Sequence, residues 1–143
     1  MFNPGRDDVR RFFCDAWAQR RPGCVPTALQ ALAIDWIARH PEYHALLEDP
    51  EAARSAEFAV DKGQTNPFLH LSLHLSLIEQ IQIDQPPGIR ALWAQLCARC
   101  GDDHDAAHRA IDALAVTLWE AQRSGQPPSN EVYLERLRRA ASA

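Results

Sequence analysis

Proline and glycine divide this chain of 143 residues into pieces of helical length. Several of the ten prolines and six glycines stand together, at residues 22–23, 86–88 and 125–128. Proline disrupts a helix interior but suits a first turn, and glycine suits the position just past a helix end. These residues therefore mark where helices begin and end, and they limit how long each helix can be.

The segments between these breaks have the periodicity of amphipathic helices. In the clearest of them, Leu29, Leu32, Ala33, Trp36 and Ile37 repeat at the spacing that places apolar side chains on one helix face. Six longer helices are expected, over residues 3–20, 27–40, 68–83, 89–100, 102–124 and from 129 or 130 onward, with short helical segments over 41–48 and 51–58. We predict an all-α, single-domain helical bundle of six or seven helices that covers residues 1–143.

Residues that favour helix ends stand at several of these boundaries. Asn3, followed by proline, suits the start of the first helix, and Thr27 suits the N-cap of the second. Asp102 or Asp103 can cap the long helix near the C-terminus, and Gly101 is a natural stop for the helix before it. The boundaries are thus predicted from capping chemistry as well as from periodicity.

The segment 68–83 is ambiguous, because residues 69–77 alternate strictly between leucine and a polar residue. That period of two is typical of a β-strand. Three features favour a helix instead: the segment is too long for a normal strand, its apolar residues are not β-branched, and it follows Asn66-Pro67. We predict a helix that is buried on most sides.

Charge and hydropathy exclude some function classes. The net charge of −4 argues against nucleic acid as the main partner, and the arginines at 10–11, 20–21 and 136–139 alternate with acidic residues, which is typical of solvated helix faces. No apolar run approaches the roughly 18 residues that cross a membrane. Residues 1–8 lack the basic and apolar stretches of a secretory signal, so a cytoplasmic location is expected.

All the histidines stand in pairs, each with a spacing of four residues, which stacks side chains on one face of a helix. Neutral imidazole is a common protein ligand of transition metals, and two rings one turn apart can bind one ion. The pairs are His40/His44, His70/His74 and His104/His108.

Two of these pairs continue apolar stripes, so their rings are expected to point into the core. Helical bundles build metal sites from inward-facing histidines and carboxylates on neighbouring helices. His40 precedes Pro41 and is therefore predicted to be a cap or turn residue. The expected ligands of a divalent zinc, iron, nickel or manganese ion are His70, His74 and His108, with His44 or His104 and a carboxylate such as Asp105.

Two alternatives stay open for these residues. The histidines can instead be core residues that bond to backbone carbonyls, in which case the chain is a non-enzymatic module that binds another protein. Cys97 and Cys100, followed by His104 and His108, form a second set of zinc-compatible residues, but their spacing is too short for a zinc finger. No phosphate-binding glycine loop or nucleophile motif is present, so no nucleotide cofactor, catalytic residue or reaction is assigned.

Several motifs are spread over nearly the whole chain: Asn3-Pro4 with Arg6-Asp7, the HPEYH run of 40–44, the NPFLHLSLH run of 66–74, Glu79-Gln80, residues 84–88 and residues 119–125. Together they resemble a family of small bacterial proteins known as domain of unknown function 1841. The resemblance implies a cytoplasmic, single-domain helical protein, but no activity, substrate or cofactor.

Overall fold

The computed structural model describes residues 5–59 and 62–142, and within these ranges it contains eight α-helices and no strand. The all-α prediction is confirmed. The helix number exceeds the predicted six or seven by one or two, because each of the short segments predicted over 41–48 and 51–58 contains a separate α-helix beside the six longer ones. The elements are α1 (Arg6–Ala18), α2 (Ala28–Ala38), a 3₁₀ turn (Pro41–Tyr43), α3 (His44–Leu47), α4 (Pro50–Ser55), α5 (Pro67–Ile83), α6 (Ile89–Cys100), α7 (Asp103–Ser124) and α8 (Asn130–Ser142).

The predicted caps lie at the helix boundaries. Thr27 forms a capping box with Gln30, in which each side chain bonds to the other residue's backbone N–H. The Asp102 carboxylate accepts from the backbone amides of His104 and Asp105 in the first turn of α7, and Gly101 ends α6 in the left-handed conformation. The predicted start at Asn3-Pro4 lies outside the described residues, and α1 follows Gly5.

The ambiguous leucine-rich segment is helix α5, as predicted. The Asn66 side chain accepts from the amides of Phe68 and Leu69, which caps the helix start. Leucines at 71, 73, 75 and 77 are all buried, and because they point in different directions around a helix, α5 is enclosed on several sides. No helix of the described residues, α5 included, is long and apolar enough to cross a membrane.

The chain divides into two compact units, Met1–Ser72 and Leu73–Ala143, and the division falls inside α5. In the first unit α1 packs against α2, α3 and α4, around a core that includes Phe13, Trp17 and Ile37. Arg10 is also buried, although the sequence predicted a solvated face here. Its guanidinium donates to carbonyl oxygens at the end of α4, which holds the side chain in this buried position.

In the second unit α6, α7 and α8 pack against one another in pairs. Alanines at 106, 107, 110 and 113 are buried along α7 and allow close approach of neighbouring backbones. The buried Tyr133 of α8 donates a hydrogen bond of 2.7 Å to the Gln80 side chain of α5, and its burial raises the pKa of the phenol. The prediction that residues 1–143 form a single domain stays a prediction.

Substitution of Thr27→Ala is expected to lower the free energy of unfolding by about 1 kcal/mol, because it removes the side chain that caps α2. Thr27→Ser keeps the hydroxyl and is the matched control. Urea unfolding followed by circular dichroism measures both variants. Equal stability of wild type and Thr27→Ala would contradict a stabilising role for this cap.

Candidate metal centre

Helix α5 carries the two histidines around which the candidate site is built. His70 and His74 lie one turn apart on this helix, so both rings project on the same side of it. His70 is partly buried, and His74 has no exposed surface. A buried imidazole has two ring nitrogens to satisfy, so each ring must meet polar partners or a metal ion.

His40 meets His70 within the first unit. It follows α2, is 4% exposed, and its Nε2 atom lies 3.2 Å from Nε2 of His70. Its other ring nitrogen, Nδ1, lies 2.7 Å from the backbone carbonyl oxygen of Trp36. The ring also stacks on Tyr43, with 5.3 Å between the ring centroids. These contacts hold His40 in one orientation, with Nε2 toward α5.

His74 meets the histidines of α7 within the second unit. The ring centroids of His74 and His108 are 5.3 Å apart, and those of His74 and His104 are 6.5 Å apart. His104 and His108 lie one turn apart near the start of α7, with their ring centroids at 4.5 Å. The apolar stripe of α7 predicts that His108 points inward. In the structure its ring lies against the ring of His74.

Among the described residues, one group of side chains around α5 could hold a metal ion, with one ring nitrogen from each member. We call it the histidine cluster. Its members are His40, His70, His74 and His108.

The sequence analysis named six candidate ligands. Three of them, His70, His74 and His108, belong to the histidine cluster, and the other three, His44, His104 and Asp105, do not. His44 lies elsewhere, because its Nε2 donates to the carbonyl oxygen of Ile37 at 2.8 Å and its ring packs on Trp17 with centroids 4.3 Å apart. Asp105 is exposed in the first turn of α7, and His104 lies beside the ring of His108.

His40 is the member of the cluster that the sequence analysis did not select. It stands before a proline and outside α2, which suggested a turn residue only. A usable signal was nevertheless present. Ala33, Ile37 and His40 continue the same spacing of three or four residues, and all three are buried. The apolar stripe of α2 thus extends to His40, two residues beyond the last residue of the helix, Ala38.

The cysteine pair of α6 does not join the histidine cluster. Cys97 and Cys100 are free thiols and partly buried. Burial and the nearby Asp103 carboxylate raise the pKa of Cys97, which disfavours the thiolate that a metal would need. The second set of zinc-compatible residues therefore has weaker support than the histidines.

One known protein family matches almost the whole chain. Residues 5–139 match the family described as Domain of unknown function (DUF1841). The chain belongs to this family. No curated protein and no solved structure matches it. Membership in the DUF1841 family confirms the resemblance drawn from the sequence motifs and brings no assigned activity, so the chemistry of the histidine cluster carries the functional argument.

We expect His44→Ala to lower the free energy of unfolding by about 1–2 kcal/mol, because it removes a hydrogen bond to Ile37 and the ring contact with Trp17. Glu42→Ala, at an exposed neighbouring position, serves as the control and is expected to have little effect. Urea titrations of metal-free protein provide the comparison. Unchanged stability of His44→Ala would show that these contacts contribute nothing to the fold.

Proposed function

We propose that the protein binds a divalent transition metal ion through the histidine cluster, with His40, His70, His74 and His108 as ligands. The observation that carries this proposal is the orientation of His40, whose Nδ1 is bonded to a carbonyl oxygen while its Nε2 faces Nε2 of His70. Metal-binding histidines commonly have this arrangement, with one nitrogen on the metal and the other bonded to a carbonyl or carboxylate.

The hydrogen bond to Trp36 sets the tautomer of His40. A carbonyl oxygen can only accept, so His40 Nδ1 must carry the proton and donate it. In the neutral ring, Nε2 then has a lone pair directed away from the Trp36 carbonyl. This is the form in which imidazole binds a metal.

The separation of the two Nε2 atoms suits a shared ion. Two nitrogens bound to a tetrahedral zinc at about 2.0–2.1 Å lie roughly 3.3–3.4 Å apart. The Nε2 atoms of His40 and His70 are 3.2 Å apart, close to that value. The same distance also fits a direct hydrogen bond between the two rings. A measurement of metal binding distinguishes a shared ion from that hydrogen bond.

The ligand chemistry selects a class of metal. The cluster offers imidazole nitrogens and no carboxylate. Imidazole suits zinc, copper, nickel and iron, whereas manganese, magnesium and calcium prefer oxygen ligands. Zinc is therefore the ion we propose first, with nickel and iron next, and manganese has the least support among the four ions expected from the sequence.

Four imidazole ligands also bear on the role of the ion. Structural zinc sites have four protein ligands, while catalytic sites keep one position open for water or substrate. The cluster supplies four nitrogens, and His40 and His74 are almost inaccessible to solvent. We therefore propose a metal that stabilises the fold, and we assign no reaction to it.

A specific observation favours one alternative, an interaction module with structural histidines. Trp119 is 56% exposed, and Val116 and Val132 of the same unit are also exposed. Exposed apolar residues are common at protein-binding surfaces. This alternative predicts a stable fold that does not respond to metal or chelator, so the experiment that tests metal binding separates the two proposals.

Metal binding is tested by the melting temperature of chelator-stripped protein before and after addition of zinc. A ligand that binds only the folded state at about 100 times its Kd adds about 2.7 kcal/mol, or roughly 8 °C in Tm for a chain of this size. We expect this rise in wild type and in His44→Ala, and a much smaller rise in His40→Ala. His44→Ala and His40→Ala form a matched pair, since each loses one imidazole and the two residues lie on neighbouring turns.

A second variant keeps this test decisive. If His40→Ala does not fold without metal, His108→Ala replaces it, because His108 is only partly buried and its loss disturbs the core less. Either no rise in wild type or an equal rise in wild type and both cluster variants would contradict the proposal.

A further inference from the structure

A cavity of about 550 Å³ lies in the first unit, and its lining includes no member of the histidine cluster. Its walls come from α1, the N-terminal end of α5 and the segment that follows α4. One part of the lining is apolar and includes Val9, Phe68 and Leu69. The other part carries positive charge, from Arg6 and Arg10. The cavity therefore combines an apolar wall with two guanidinium groups.

Arg10 is a buried cation, and no carboxylate of residues 5–59 or 62–142 forms an ion pair with it. It is 5% exposed. Its Nη1 donates to the carbonyl oxygens of Ala53 at 2.8 Å and Ala56 at 2.7 Å. Its guanidinium lies over the ring of Phe68, 4.9 Å from the centroid. A buried charge is usually paired with an opposite charge, so this arrangement is unusual for a purely structural residue.

The bonds to the end of α4 occupy only part of the Arg10 guanidinium. All of its hydrogen bonds to described residues are made by Nη1, which leaves Nε and Nη2 as donors for another group. Burial, followed by the like charge of Arg6, lowers the pKa of Arg10, while Asp7 and Glu57 act in the opposite direction. The net shift of this pKa is downward, so the surroundings of Arg10 disfavour its charged form.

The other polar groups of the cavity also favour a ligand that carries hydrogen-bond acceptors and negative charge. To the part of the chain that the structure describes, Arg6 makes one hydrogen bond, from Nη2 to the carbonyl oxygen of Ala56. The Asn66 oxygen is used to cap α5, so its amide nitrogen is the remaining donor. The same helix end adds a partial positive charge from its macrodipole. Glu57 is the acidic side chain among the described lining residues, and its single charge opposes two arginines.

We propose that this cavity binds a small organic anion, in which a carboxylate or phosphate group is attached to an apolar body. The charged group contacts Arg6 and the free nitrogens of Arg10. The apolar body packs against Val9, Phe68 and Leu69. This site is independent of the histidine cluster and requires no metal.

The test is calorimetric titration of the full chain with benzoate and with phenyl phosphate. We expect at least one of them to bind with a Kd at or below about 1 mM, and the tighter of the two identifies the charged group. Benzyl alcohol lacks the charge and inorganic phosphate lacks the ring, so both are expected to bind more weakly.

Two arginine variants of α1 form a matched pair for this test. Arg6→Ala removes a charge that lines the cavity, and we expect it to weaken binding about tenfold or more. Arg11→Ala removes the same charge at an exposed position outside the cavity lining, and we expect it to have little effect. Arg10 is left intact, because its bonds to α4 also support the fold.

Four results would overturn the proposal. They are failure of both probes to bind at about 10 mM, equal affinity for benzoate and benzyl alcohol, equal affinity for phenyl phosphate and inorganic phosphate, and equal weakening by the two arginine variants.

Discussion

The hydrogen bond from His40 Nδ1 to the Trp36 carbonyl oxygen is the interaction on which the account of the site depends. It fixes the ring at the end of α2, determines which nitrogen carries the proton and directs Nε2 toward His70. The Trp36 carbonyl oxygen also accepts from the Arg39 amide at 3.2 Å, and its two lone pairs allow it to accept from the His40 ring as well. The end of α2 thus supplies both the proposed ligand and the group that orients it.

Helix boundaries were predictable because their causes are local. Thr27, Gly101 and Asp102 act through their own backbones and nearest neighbours, and each lies where the sequence indicated. The helical state of α5 followed from length and from the Asn66 cap, even though the leucine alternation favoured a strand. The number of helices was predicted less well, since α3 and α4 have only four and six residues and too little periodicity to show whether each is a separate helix.

The site was predictable only in part. His70, His74 and His108 follow from apolar stripes, which report the side of a helix that faces the core. His44 was preferred to His40 as a ligand because the residue before Pro41 was expected to be a cap or turn residue. Because α2 ends at Ala38, His40 and His44 lie on different turns and have different partners. Arg10 gave no local signal of burial, because its partners at the end of α4 are distant in sequence.

Elemental analysis of untagged protein, purified without a metal column or chelator, tests the central claim most directly. The account predicts about one zinc, nickel or iron ion per chain, as four imidazoles complete a single tetrahedral shell. A folded protein that contains no metal, and that takes up none when zinc is added, would contradict it.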